Sequence, residues 1–149
     1  MKTLKRKELK FMEQFNDSGS KKDLMLYRIK TAKDNLAEAR ILLSEKLYKG
    51  ANNRAYYAIF HTINAIFALD GKSYKRHKDV LGNFNKDYIK TNIFPRELGS
   101  RIVAAEEIRH TSDYDDFYIA TKDEAQELID TAEEFILLAE KHCNSRLNI

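Results

Sequence analysis

Four polar side chains lie along one line of the apolar segment 52–69. They are a permanently charged arginine, a histidine that can carry a proton, and a tyrosine and an asparagine that can form hydrogen bonds. Arg54, Tyr57, His61 and Asn64 are spaced by three and four residues, which places them on one face of a helix. Arg54 and His61 are seven residues apart and point in nearly the same direction. Because polar groups inside a bundle need partners, the line predicts either a binding pocket or an internal hydrogen-bond network.

Two further polar groups accompany this line. Arg109 is followed by Asp113 and Tyr114, and the four-residue spacing fits an intrahelical ion pair as well as a cation that reaches the pocket. The other group is a basic run that either contacts a phosphate of RNA or a nucleotide, or forms a solvated turn. The run consists of Lys75, Arg76, His77 and Lys78.

The elements that position these groups are predicted to be helices. The 149 residues include one proline and five glycines, fewer than strands and tight turns normally require. Apolar residues recur at steps of three and four, as in amphipathic helices. The periodicity predicts helices over about 23–48, 52–69, 74–90 with an interruption at residue 82, 95–112, and from 121 onward. The predicted fold class is all-α: an antiparallel up-and-down bundle of four to five helices.

Local signals mark the predicted helix ends. Gly50 and Gly71 follow the first two helices, where a left-handed residue commonly ends a helix. Pro95 suits the first turn of the fourth helix, and residues 113–116 read as the loop after it. Thr121 and Glu124 form a capping box for the last helix.

The chain is predicted to consist of a basic N-terminal extension, residues 1–22, and a helical bundle, residues 23–145. The extension carries seven Lys and Arg residues against three acidic ones, and residues 16–22 read as a loop. Two alternatives stay open for the extension, a short amphipathic helix and a disordered segment.

Cysteine usage and hydropathy exclude several classes of protein. Cys143 is the only cysteine, so it cannot form an internal disulfide, and no Cys/His spacing predicts a metal site. We expect it to be a semi-buried apolar residue, and we expect no metal and no cofactor. No segment reads as a signal sequence or a membrane span, so the predicted location is the cytoplasm. No Walker loop or GxGxxG motif is present.

The run NRAYYAIFH at residues 53–61 resembles the second-helix signature of the HEPN family, in particular its small stand-alone bacterial and archaeal branch. Later residues match that branch at the expected separations, and the resemblance covers roughly residues 24–142. These residues are Gly71, His77, Phe84, Tyr88, Arg109, Asp113 and Tyr114.

The resemblance implies a helical bundle that forms a homodimer and is often encoded beside a minimal nucleotidyltransferase, in pairs that look like toxin–antitoxin modules. Catalytic members of the family are metal-independent endoribonucleases, with an arginine followed after four to six residues by a histidine. This chain departs from that pattern, since Arg109 is followed after four residues by Tyr114. Arg54 and His61, with six residues between them, match the count on another helix. Arg54, His61 and Arg109 are therefore the candidate catalytic residues.

Three hypotheses remain open at this point. The first is a ribonuclease toxin that acts as a dimer and is neutralised by a nucleotidyltransferase partner. The second is a non-catalytic subunit that binds a nucleotide or substrate for that partner, with Tyr114 as an acceptor of nucleotidylation. The third is a plain dimeric interaction module. The pocket or binding residues predicted beside the catalytic candidates are Tyr57, Asn64, His77, Asp113 and Tyr114, with Lys75, Arg76 and Lys78 as phosphate contacts.

Overall fold

The computed structural model describes the backbone of residues 2–148 and the side chains of residues 19–148. Within this range there are five α-helices and no strand. The helices are α1 (Lys2–Ser44), α2 (Tyr48–Leu69), α3 (His77–Phe84), α4 (Arg96–Tyr114) and α5 (Lys122–Leu147). A π-helical turn, Asn85–Ile89, continues directly from α3. The predicted all-α bundle is confirmed.

The bundle is organised around α2, which packs along α1 and against α4 and α5. Only residues 45–47 separate α1 from α2, and so short a connection makes neighbouring helices antiparallel. The predicted apolar stripes face one another in a single core. Their buried members are Ile29, Ala32, Leu36 and Ala39 on α1, Tyr56, Ile63 and Phe67 on α2, Leu98, Ile102 and Ala105 on α4, and Ala125, Leu128, Ala132, Phe135 and Ala139 on α5.

Cys143 belongs to this core. The thiol is fully buried, and burial raises its pKa to about 11. Cys143 is thus an apolar packing residue as predicted, although it is fully buried rather than semi-buried, and a thiol with a raised pKa is a poor nucleophile.

One end of the core holds a polar network, which we call the closed cluster: Asp70, Tyr88, His142 and Arg146. The hydroxyl of the buried Tyr88 and the guanidinium of Arg146 donate hydrogen bonds to the two carboxylate oxygens of Asp70. Burial, followed by Asp70, raises the pKa of Tyr88. The His142 ring packs against Phe94 with the ring centroids 5.2 Å apart, and its Nε2 atom is buried without a hydrogen-bond partner.

The predicted loop over residues 16–22 is wrong, because α1 runs through it without a break. Gly19 is the only residue there that strongly opposes a helix, at a cost of about 1 kcal/mol. Lys21 and Lys22 are already half-buried against the bundle, and this packing outweighs the local preference. Of the two alternatives left open for the N-terminal extension, the described backbone from residue 2 onward is helical. Whether that helix has an apolar face depends on side chains that lie outside the described ones.

The predicted C-cap at Gly50 is also wrong, since Gly50 lies in the first turn of α2. The left-handed residue of the α1–α2 connection is Lys46, with φ of 62°. Gly50 has a different role: a Cβ atom there would lie 3.2 Å from Cδ1 of Leu42, so the glycine permits a close approach of the two helices. The expectation for Gly71 is confirmed, because it follows α2 with φ of +65°.

The third and fourth helices differ from prediction at their ends. The third begins at His77, continues through Gly82 and changes to a π-turn at Asn85, where the amide of Lys90 donates to the Asn85 carbonyl at 2.9 Å. Gly82 does not interrupt it, because the position is solvent-exposed and nothing lies within 4 Å of a would-be Cβ.

The fourth helix, expected to end before residue 113, continues to Tyr114 and stops where Asp115 becomes extended. The Arg109–Asp113 ion pair across its last turn supports this extra length. The capping box of Thr121 and Glu124 begins α5, as predicted. Pro95, expected in the first turn of the fourth helix, instead precedes that helix as its extended N-cap residue, with ψ of 144°.

Candidate functional site

The polar line of α2 meets the start of α3 in a group of stacked rings, which we call the histidine–tyrosine cluster: Tyr56, Tyr57, Phe60, His61 and His77. The spacing of the four α2 residues places their rings on adjoining faces of the helix. His77, the first residue of α3, lies across them: its ring stacks on Phe60 with centroids 4.1 Å apart and lies 5.9 Å from Tyr57. His61 lies 5.7 Å from Phe60 and 6.2 Å from Tyr57. The two histidines therefore share the same aromatic neighbours.

Tyr56 connects the cluster to α4. Its side chain is fully buried, and its hydroxyl lies 3.1 Å from Nδ1 of His77. Burial, followed by a hydrogen bond to the Glu106 carboxylate, raises the pKa of Tyr56, so the phenol keeps its proton. In one arrangement both the Tyr56 hydroxyl proton and the His77 ring proton are hydrogen-bonded: Tyr56 donates to Glu106, and Nδ1–H of His77 donates to the Tyr56 oxygen. This arrangement leaves Nε2 of His77 as a proton acceptor.

Arg109 closes the inner side of the cluster. Its guanidinium carbon lies 4.8 Å from the centroid of the Tyr56 ring, and its Nη atoms donate to Glu106 at 3.2 Å and Asp113 at 3.3 Å. Burial lowers the pKa of Arg109, but Glu106 and Tyr56 outweigh it and the net pKa is raised. The side chain is only 15% exposed and its Nε atom has no partner. Arg109 therefore orders Glu106 and Tyr56 from inside the fold.

Arg54 lies on the outer side. It stacks on Tyr57 with Cζ 5.6 Å from the ring centroid. Its Nη2 and Nε atoms donate to the side-chain oxygen of Asn53 at 2.7 and 3.2 Å, and its Nη1 atom lies 3.7 Å from the Glu38 carboxylate. At 38% exposure it presents the more accessible cation of the two. A phosphate group that approaches the rings would meet Arg54 before Arg109.

Both cluster histidines favour the neutral form. Burial, followed by the charges of Arg28 and Arg54, lowers the pKa of His61, and the His77 ring contributes in the same direction. Burial and then Arg109 lower the pKa of His77, against a smaller opposing effect of Glu106. Two neutral, half-buried imidazoles beside arginines can accept and return protons near neutral pH.

The structure does not bring every predicted residue into the cluster. Lys75, Arg76 and Lys78 are exposed, and Arg76 pairs with Asp79 at 2.9 Å; only His77 of this basic run turns inward. The Asn64 side chain donates to the Phe60 carbonyl within its own helix at 3.3 Å. The assignment of these residues as phosphate contacts or pocket residues stays a prediction.

Asp113 and Tyr114 lie at the end of α4. Asp113 touches the cluster only through Arg109. Tyr114 is 74% exposed, and its ring packs on His110 with centroids 4.7 Å apart. It therefore stands outside the rings that surround His61 and His77, with its hydroxyl on a solvent-facing side chain.

Sequence reasoning missed three residues that shape the site. Tyr56 was assigned to the core, although a tyrosine rather than a phenylalanine on a buried stripe signals a hydrogen-bonded hydroxyl. Glu106 stands three residues before Arg109, a spacing that predicts an ion pair. Arg28 of α1 donates to the Asn64 carbonyl at 2.8 Å, a contact between helices that no local spacing reveals.

Two kinds of feature are absent from the described residues. No three His, Cys, Asp or Glu side chains among them come together as a metal site would require. None of the helices between residues 2 and 148 has the length and apolarity of a bilayer span.

Comparison with known proteins agrees with the resemblance in the α2 run. Residues 25–142 match the HEPN domain family. A Thermotoga maritima protein named "UPF0332 protein" is 31% identical over 121 residues, which cover 81% of this chain and 92% of the relative. Two Methanocaldococcus jannaschii proteins named "Putative toxin MJ0605" and "Putative toxin MJ0142" are 33% and 31% identical, over 72% and 79% of this chain and 80% of each relative. The chain belongs to the HEPN domain family.

Proposed function

We propose that this protein is a toxin-type HEPN protein that cleaves RNA without a metal ion. The observation that carries the proposal is the convergence of two histidines with lowered pKa values, His61 and His77, on one aromatic surface beside Arg54 and Arg109. Similarity to two relatives named as toxins supports the biological setting. We further propose a two-gene module in which a nucleotidyltransferase partner restrains the toxin.

The proposed reaction uses the ribose 2′-hydroxyl as nucleophile. His77 takes the 2′-hydroxyl proton at Nε2, in the tautomer whose Nδ1–H donates to the Tyr56 oxygen 3.1 Å away. The 2′-oxygen attacks the adjacent phosphorus, and the bond from phosphorus to the 5′-oxygen breaks. A protonated His61 gives its proton to that leaving oxygen. The products are a 2′,3′-cyclic phosphate and a 5′-hydroxyl end.

The arginines stabilise the negative charge that develops on the phosphate oxygens during the reaction. Arg54 is the exposed cation next to the rings and is suited to bind the phosphate oxygens in two places. Arg109 holds Tyr56 and Glu106 in position. We further propose that the protein works as a homodimer, which would set two such sites against each other across a twofold axis. Light scattering of the purified protein measures this directly.

The experiment that tests the proposal is incubation of purified protein with RNA in EDTA. Wild type is compared with a His61→Asn/His77→Asn double variant and with His110→Asn, which changes an exposed histidine outside the cluster. We expect wild type and His110→Asn to produce fragments that end in 2′,3′-cyclic phosphate, and the double variant to leave the RNA intact. RNA that stays intact with correctly folded wild type, or equal cleavage by the double variant, would overturn the proposal.

A second candidate function is favoured by the exposure of Tyr114. We propose that a nucleotidyltransferase partner modifies this residue: the Tyr114 phenolic oxygen attacks the α-phosphorus of a nucleoside triphosphate, pyrophosphate leaves, and the phenolic proton passes to solvent or a base of the partner. The protein would then be the nucleotide-carrying subunit of the pair. An intact-mass increase of one nucleotidyl group after co-expression, absent from Tyr114→Phe, is expected. An unmodified mass in the presence of active partner would contradict it.

A further inference from the structure

A basic recess lies between α1 and the connection that follows α2. Its volume is about 390 Å³, and its lining includes the cationic side chains of Lys21, Arg28 and Lys72 and the hydroxyls of Ser20 and Ser73. Among the described residues that line the recess, none carries a carboxylate. Such a composition favours a hard anion, with ammonium groups as point charges and hydroxyls as additional donors.

The floor of the recess continues the polar line of α2. Ala68 is four residues beyond Asn64, so it stands on the same helix face, and its small side chain leaves room above the helix. Gly71, with φ of +65°, turns the chain away immediately afterwards. The Nζ atom of Lys21 lies 3.5 Å from the place that a Cβ on Gly71 would take. The end of α2 and the α1 lysine therefore enclose the recess from two sides.

Arg28 joins this recess to the histidine–tyrosine cluster. It lines the recess, donates to the Asn64 carbonyl at 2.8 Å, and after burial is the first of the charges that lower the pKa of His61. His61 and Ala68 are seven residues apart, a rise of about 10 Å along α2. The recess therefore follows the cluster on one continuous face of the protein.

The cations of the recess are held in place by the fold. Lys72 pairs with Asp87, which is outside the lining, at 3.0 Å, and its Nζ lies 5.0 Å from the centroid of the Tyr88 ring. Arg28 is half-buried, so its guanidinium has lost part of its hydration, and this burial lowers its pKa. An anion bound in the recess would compensate for the hydration that the Arg28 guanidinium has lost.

We propose that this recess is a binding site for a backbone phosphate of the RNA strand, one that flanks the phosphate cleaved at the histidine–tyrosine cluster. This inference rests on the proposed ribonuclease function and names a second contact of the same substrate. The strand crosses the protein along α2, with its reacting phosphate at Arg54 and the two histidines and a neighbouring phosphate at Lys21, Arg28 and Lys72. Contacts of this kind fix the position of a strand without reading its bases.

The test measures binding of a fluorescent single-stranded 2′-O-methyl oligonucleotide by anisotropy, at several salt concentrations. This probe cannot be cleaved through its own 2′-oxygen. We expect Lys21→Gln to weaken binding roughly fivefold, as for the loss of one charge-assisted contact, and to lower the slope of log affinity against log salt by about 0.7. Lys21→Arg keeps the charge and is expected to retain both values.

The matched control is Lys30→Gln. Lys30 is nine residues further along α1, which places it on the opposite face of the helix, where it forms an exposed ion pair with Asp34. We expect binding by Lys30→Gln to equal that of wild type. Thermal unfolding of all three variants establishes that they are folded before binding is compared.

Separate outcomes overturn the recess and the proposed function. Wild type that cleaves RNA while Lys21→Gln and Lys30→Gln bind the oligonucleotide equally would overturn the recess alone. Wild type that neither cleaves RNA nor binds the oligonucleotide would overturn both. A parallel titration with ATP distinguishes the source of the phosphate: if Lys21→Gln weakens only ATP binding, the RNA assignment is overturned in favour of a free nucleotide.

Discussion

The histidine–tyrosine cluster, taken together with Glu106 and Arg109 of α4, contains the same four kinds of side chain as the closed cluster, in different surroundings. Each joins a buried tyrosine, a carboxylate, an arginine and a histidine: Tyr56, Glu106, Arg109 and His77 in the first, and Asp70, Tyr88, His142 and Arg146 in the second. In both, burial and a carboxylate raise the tyrosine pKa. In both, burial lowers the histidine pKa.

The two clusters differ in what the histidine faces. His77 stacks on Phe60 near the surface, and a second histidine, His61, shares its aromatic neighbours. His142 packs on Phe94 with its Nε2 buried and without a partner. Access to solvent and a second proton carrier, rather than the set of residue types, therefore distinguish a candidate site from a structural network. The predictions below test this distinction.

The largest expected effect is on activity. His77→Asn should lower the RNA cleavage rate by roughly 10²–10⁴-fold, because it removes the proposed general base. His142→Asn, the matching change in the closed cluster, should leave the rate of the folded protein within about twofold of wild type. Cleavage rates in EDTA measure both, and equal losses in the two variants would contradict the distinction.

The second effect is on stability, and we expect it to be larger in the closed cluster than in the histidine–tyrosine cluster. Asp70→Ala removes the acceptor of the buried Tyr88 hydroxyl and the partner of Arg146, and should lower the free energy of unfolding by about 2–3 kcal/mol. Asp113→Ala removes an exposed partner of Arg109 and should cost at most about 0.5 kcal/mol. Denaturant unfolding measures both. A larger loss for Asp113→Ala than for Asp70→Ala would show that the histidine–tyrosine cluster is the more structural of the two.

A smaller effect concerns stability against pH. The pKa values of His61, His77 and His142 are lower in the folded protein than the ordinary 6.5. Between about pH 6.5 and those lowered values the unfolded chain binds protons that the folded protein does not, so the free energy of unfolding falls as the pH falls. The stabilisation that these three histidines contribute is fully present above about pH 6.5. We expect Tm to decrease from pH 7.5 to pH 5.5.

The variant His142→Asn should make that decrease shallower, since it removes one of the three groups. His110→Asn serves as the control, because it changes an exposed ring on α4 and should leave the decrease unaltered. Tm that rises on acidification over this interval would be incompatible with the lowered histidine pKa values.

The smallest expected effect is a shift of the pH optimum for RNA cleavage to the acidic side of the ordinary histidine pKa. A reaction that needs one protonated and one neutral histidine is fastest between their two pKa values. Since the pKa values of His61 and His77 are both lowered, the optimum of kcat/KM should lie below pH 6.5. A profile that peaks above pH 7 would argue against this pair as the acid and the base.

The sequence predicted the faces of the helices better than their ends. The stripes through Ile29, Ile63 and Phe135 are buried as their spacing indicated, because burial repeats with the helical period over many residues. Single glycines were weaker signals. Gly50 and Gly82 both lie inside helices. Close packing against Leu42 accounts for the first, whereas Gly82 is exposed with nothing within 4 Å of a would-be Cβ, and the helix continues through it.

The candidate site was predicted in part. The line Arg54, Tyr57, His61 lies on one half-buried face, as the spacing indicated. Spacing within one helix cannot show which residue of another helix meets it. The approach of His77 to Phe60 and the Arg28 contact with the Asn64 carbonyl depend on how α1 and α3 pack on α2. The catalytic assignments of Arg54, His61 and Arg109 stay predictions.

Because of the π-turn at Asn85–Ile89, the geometry of the closed cluster depends on the number of residues in this segment. Tyr88 lies within this wider turn, and each residue of a helix rotates its successor by about 100°. Deletion of one residue from the exposed side of the turn, such as Lys86, would restore an ordinary α-helical register and swing Tyr88 away from Asp70. Over evolutionary time this segment should therefore accept substitutions on its outer side far more readily than insertions or deletions.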